Sequence, residues 1–131
     1  MKLTNENYVS EAERVIREIK DDAGKFGKIV TTSKIRKILA MVSDLYNRAR
    51  HIIGNDLDGE MRSRIQYLKL HIVYEAGRDN EKGNPVKTFI NKANLLSIID
   101  DIGSSKEYLI TFCHYMEALV AYRKYIGGKD E

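Results

Sequence analysis

The chain has one cysteine, one proline and no tryptophan among its 131 residues. The lone thiol, Cys113, excludes an internal disulfide and a thiolate zinc centre, both of which need further cysteines. No apolar run approaches the ~18 residues a membrane helix requires, so no membrane span is expected. The opening Met1-Lys2-Leu3-Thr4-Asn5-Glu6 lacks the apolar stretch of a secretory signal, and the cytoplasm is the expected location. The glycines never cluster as a GxGxxG or P-loop phosphate cradle. His51, His71 and His114 fall on separate predicted helices without a carboxylate at ligand spacing. Asp100-Asp101 is expected to be a solvated helix end without a partner. No metal or cofactor is expected.

What is present suits one ordinary domain. Of the residues, 43% are hydrophobic and 31% are charged, enough apolar matter for a core and enough charge for its surface. Glycines and Pro85 punctuate the apolar pattern at Gly24 and Gly27, Gly54 and Gly59, Gly83, Gly103, and Gly127 and Gly128. Five segments lie between them, each with apolar residues at helical spacing. Near 5–22, Tyr8, Ala12, Val15, Ile16 and Ile19 share a face. Near 33–53, Ile35, Ile38, Leu39, Val42, Leu45, Tyr46, Ala49 and Ile53 form a narrow arc. Near 59–78 the series is Met61, Ile65, Leu68, Ile72 and Ala76. Near 85–102 it is Phe89, Ile90, Ala93, Leu96 and Ile99, and near 105–126 it is Leu109, Phe112, Met116, Leu119 and Val120.

These i, i+3, i+4, i+7 patterns predict amphipathic helices and no strand. Asn84-Pro85 reads as an N-cap followed by proline, Ser104 with Glu107 as a capping box, and Thr31-Thr32-Ser33 and Asp58 as further caps. The fifth segment is apolar over more than half its circumference and belongs at the centre. Tyr108, Tyr115 and Tyr122, spaced by seven on it, are expected to pack. The expected fold is an all-α, single-domain five-helix bundle over residues 1–131.

The net charge of +3 is unevenly spread. Residues 1–30 carry six basic and six acidic side chains, whereas 31–54 carry Lys34, Arg36, Lys37, Arg48 and Arg50 against Asp44 alone. A basic surface of this kind attracts polyanions, although it also suits a solvated helix face. On the third segment Arg64, Tyr67, His71, Tyr74 and Arg78 run along one flank. Such a stripe neutralises phosphates and offers rings for stacking, whereas flank packing with the hydroxyls kept wet is the alternative for the tyrosines. Glu75 and Glu117 are expected to pair with nearby arginines, which competes with an RNA role for Arg36 and Arg78. Arg64 and His71 also show the R-x(4–6)-H spacing of HEPN ribonucleases, which places an imidazole beside a guanidinium on one helix face. Ile65 stands where that family usually has a polar residue. A helical adaptor that binds only protein is a third reading.

Four motifs in register decide between these readings. Thr31-Thr32-Ser33-Lys34-Ile35-Arg36, Tyr67-Leu68-Lys69, Tyr74-Glu75-Ala76-Gly77-Arg78, and Glu117-Ala118-Leu119-Val120-Ala121-Tyr122 followed by Lys124-Tyr125 resemble the small subunit of type III-A CRISPR (Csm) effector complexes. The resemblance implies a non-catalytic helical subunit of an antiviral ribonucleoprotein. Copies of such a subunit stack head-to-tail beside the filament of backbone subunits, in a complex that also holds the large subunit, and contact guide RNA and target RNA without reading sequence. Lys34, Arg36, Lys69 and Arg78 match basic positions of the motifs, and His71 stands where some relatives carry a basic residue. Lys37, Arg48, Arg64 and Arg123 join the candidate RNA surface through the charge pattern alone.

Overall fold

A computed structural model describes residues 2–23 and 29–127. It contains helices α1 (Tyr8–Ala23), α2 (Arg36–Ala49), α3 (Gly59–Gly77), α4 (Pro85–Lys92), α5 (Leu95–Ile102) and α6 (Lys106–Ile126). A 3-10 turn, Thr32–Ile35, leads into α2. No strand occurs among the described residues, whose sole extended pairing is an isolated bridge between Asp56 and Ser105. The expected turns at Gly24, Gly27 and Gly128 lie outside the described residues.

The all-α expectation holds, with one correction: the fourth predicted segment is two helices. Asn94 takes a left-handed conformation, φ 58° and ψ 37°, which asparagine tolerates better than most residues. The break frees the carbonyl of Ala93, and the buried hydroxyl of Tyr115 donates to it at 2.9 Å. Turning there lets α4 bury Val86, Phe89 and Ile90 while α5 buries Leu95, Ile98, Ile99 and Ile102.

The caps also differ in detail. Asp58 caps α3 as expected, accepting from Met61 N at 2.9 Å. Ser105, not Ser104, caps α6, and Asn55 Oδ1 accepts from Glu107 N, leaving no capping box. Pro85 does open α4, but Asn84 is left-handed and its side chain caps nothing. Asp79 does that work from the end of α3, accepting from Val86 N and Lys87 N at 2.8 and 3.1 Å. The second predicted helix is shorter than expected, and Ile53 projects fully exposed from the loop after it.

Helix α6 occupies the centre, packed against α1, α2 and α5, while α3 packs against α2, α4 and α5. Leu109, Phe112, Tyr115, Met116 and Leu119 are buried along it. Tyr108 is buried and Tyr122 partly so, both packed in the core as expected. The Tyr108 hydroxyl accepts from Leu3 N at 3.2 Å and ties the start of the chain to α6. Cys113 is buried with its Sγ 3.8 Å from the Val42 carbonyl, and burial pushes the thiol up to about 12. Arg123 is buried as well, its Nε donating to the Val30 carbonyl, so it leaves the candidate RNA surface. On the outer side, Lys92 of α4 clasps Glu18 and Asp22 of α1 at 3.0 and 2.9 Å.

Replacing Tyr115 by Phe keeps the ring but strands the Ala93 carbonyl in the core. The expected loss is about 1–3 kcal/mol of unfolding free energy, read from urea denaturation with an unchanged m-value.

Candidate nucleic-acid interface

The α2 apolar face buries Ile38, Val42, Leu45 and Ala49, which turns Lys34, Arg36 and Lys37 outward at the start of the helix. All three are exposed, and none makes an ion pair among the described residues. The first turn of α2 carries no acid, and neither Thr31 nor Ile35 supplies a side-chain cap. Backbone N–H groups at a helix start favour anions, and cations there are electrostatically disfavoured. This end of α2 is therefore a surface of positive potential, its Arg36 N–H already donating to the Ser33 carbonyl of the 3-10 turn.

Two concavities carry the candidate cations, one between the 3-10 turn, the end of α3 and α4, the other between α2 and α3. One, about 360 Å³, brings Lys34 beside Arg78, with Ser33, Glu75, Asp79 and Asn80 around them. The other, about 620 Å³, is lined by Lys37, Arg64, Asp44 and Glu60 at its polar margin, with Met41, Leu45, Tyr67 and Leu68 among its apolar walls. The structure thus groups Lys34 with Arg78 and Lys37 with Arg64.

The remaining candidates are held by carboxylates. Arg48 Nε donates to Asp44 at 2.9 Å. Arg64 donates to Glu60 at 3.1 Å and stands 3.9 Å from Asp44. Arg78 pairs with Glu75 at 3.1 Å and lies over the Tyr74 ring at 5.7 Å. Lys69 reaches across to α5 and donates to Asp100 at 2.6 Å, so Asp100 is not the unpartnered helix end the sequence suggested. The His71 side chain is 12% exposed, and its Nε2 lies 3.9 Å from Glu75, beyond hydrogen-bond distance. Glu75 pairs with an arginine as expected, whereas Glu117 and Arg36 form no ion pair among the described residues.

Sequence reasoning missed the other carboxylate partners. Asp44 with Arg48 and Glu60 with Arg64 show i, i+4 spacing and were open to inference. The pairing of Lys69 with Asp100 joins different helices and has no local signal. Among the described residues no helix is long and apolar enough to cross a membrane, and no metal-binding group of side chains occurs.

The fold and surface define a small helical protein with a cationic edge. Comparison with known proteins makes the class specific: residues 9–129 match the family model described as Csm2 Type III-A. The chain is 43% identical to the CRISPR system Cms protein Csm2 of Streptococcus thermophilus over 129 residues, covering 98% of both chains. It is 37% identical over the full length of both chains to the protein of that name from Mycobacterium tuberculosis (strain CDC 1551 / Oshkosh). A third relative of that name, from Enterococcus italicus, is 31% identical over 128 residues, with 91% of this chain and 89% of the relative covered. The chain belongs to the Csm2 family of type III-A CRISPR systems, the small-subunit family its motifs resemble.

The exposed pairs and the buried arginine respond differently to mutation. Asp100→Asn or Asp44→Asn is expected to change stability by less than about 1 kcal/mol, because exposed pairs are screened. Arg123→Ala removes a buried charge-assisted bond and is expected to cost about 1.5–3 kcal/mol. Chemical denaturation of the three variants checks the contrast.

Proposed function

We propose that the chain is a non-catalytic small subunit of a cytoplasmic Csm ribonucleoprotein that holds RNA phosphates during antiviral defence. Its partners in this reading are guide RNA and target RNA, the large and backbone subunits, and further copies of itself stacked along the filament. Lys34, Arg36 and Lys37 carry the RNA contact, with Arg78 beside Lys34. Arg48, Arg64, Lys69 and His71 widen the surface, the first three after exchanging a carboxylate for a phosphate. The observation that supports this most is the cluster of cations at the acid-free start of α2, unpaired among the described residues, where a phosphate would relieve their mutual repulsion.

Charge of this kind binds backbone and not bases, so affinity should depend on salt and little on sequence.

Removing Lys34, Arg36 and Lys37 together by alanine substitution is expected to weaken single-stranded RNA binding equally for unrelated sequences. The slope of log affinity against log salt should fall by about 0.7 for each phosphate no longer neutralised. Arg48→Ala should lower it less, since a carboxylate already occupies that side chain. An unchanged slope in the triple variant would remove the RNA assignment. Metal-free cleavage of RNA by the purified chain, abolished in His71→Ala and Arg64→Ala, would replace this reading with a HEPN-type ribonuclease.

A further inference from the structure

The larger of the two concavities, about 620 Å³, falls within the roughly 300–1,000 Å³ range of small-molecule sites. Its two walls repeat one spacing. Lys37, Met41 and Asp44 on α2, and Glu60, Arg64 and Tyr67 on α3, follow steps of four and three residues and so share a face of each helix. The helices run antiparallel here, since Lys34 lies beside Arg78 whereas Asp44 lies 3.9 Å from Arg64. Tyr67 therefore stands between the level of Arg64 and that of Lys37, which is two turns, about 10 Å, from Asp44 along α2.

The chemistry changes along this line. One end holds the Lys37 ammonium, which has no carboxylate partner among the described residues. The middle is apolar, made by Met41, the buried Leu45 and Leu68, and the Tyr67 ring, which is 62% exposed. The other end sets Arg64 between Glu60 and Asp44, both reached through its terminal nitrogens. The Arg64 Nε is buried and finds no hydrogen-bond partner among the described residues. A buried donor left unmet in a cavity wall calls for an acceptor from outside.

These demands select the occupant. A fatty chain would fill the middle but strip water from Asp44 and Glu60 and give nothing back. A nucleobase has apolar faces for Met41 and Tyr67, and its edge carries N–H donors for a carboxylate and a carbonyl for a guanidinium. Guanine fits best, because N1–H and N2–H are adjacent donors and O6 is an acceptor. Uracil offers one donor between two carbonyls, which the carboxylates repel. We propose that this cavity receives one unpaired base of a bound RNA strand, guanine before the others, stacked on Tyr67 with an adjoining phosphate on Lys37. This rests on the RNA reading above and adds a base contact to a surface that otherwise meets backbone alone.

Fluorescence anisotropy tests it with short oligouridylates that carry either guanine or an abasic ribose at one central position. The two strands hold the same phosphates and differ at a single base. The wild type should bind the guanine strand about tenfold tighter, in line with the worth of one stacked base, with equal salt slopes for both. Tyr67→Ala should erase most of that difference with an unchanged circular dichroism spectrum, since the ring stands mostly outside the core. Tyr67→Phe, which puts the ring back, should recover it. Equal binding of the two strands with an ordinary salt slope would overturn the base pocket and leave the phosphate reading standing. A difference that survives undiminished in Tyr67→Ala would also overturn it. Binding of neither strand would overturn both.

Discussion

Burying a helix on most of its circumference requires that its polar atoms find partners inside the protein. Helix α6 meets that requirement residue by residue. Thr111 Oγ1 donates to the carbonyl of Glu107 on the same helix. Tyr115 reaches the Ala93 carbonyl at the α4–α5 break, and Arg123 reaches the Val30 carbonyl before the 3-10 turn. Each bond reaching beyond α6 fixes a segment that the apolar contacts alone would leave free to slide, because dispersion and hydrophobic burial have little directionality. The orientation of α2, and with it the cationic edge, follows from this anchoring of the chain on α6.

The sequence made the helices legible because apolar spacing is a local property. Ile65, Leu68 and Ile72 mark α3 without reference to the rest of the chain. The break after Ala93 was hidden because Asn94 is compatible with a helix interior, and the residue that stabilises the break lies 22 positions away. The cap of α4 was hidden for a similar reason: Asp79 lies seven residues before the N–H of Val86. Cations could be counted from the sequence, but their availability could not. Lys37 and Arg48 both belong to the basic stretch, yet Asp44 holds Arg48 while Lys37 has no carboxylate partner among the described residues.

The charge at the start of α2 runs against helix electrostatics. A stable isolated helix would place Asp or Glu in that turn. This chain places two cations there and a third in the preceding 3-10 turn, all without a carboxylate partner among the described residues. Local disfavour of that kind is tolerated where the rest of the fold over-determines the segment, and here Ile35 and Ile38 are buried immediately beside the cations.

The state of Cys113 has a practical consequence for spectroscopy. A thiol that is 6% exposed and pushed up to about 12 carries almost no thiolate at neutral pH, and thiolate is the species that maleimides and nitroxide reagents attack. Burial and the raised thiol thus both slow the reaction of Cys113 with such labels. A single cysteine introduced on an exposed helix face takes up a fluorophore or spin label alone, without first deleting Cys113. Distances between labelled copies can then be measured in the unaltered core.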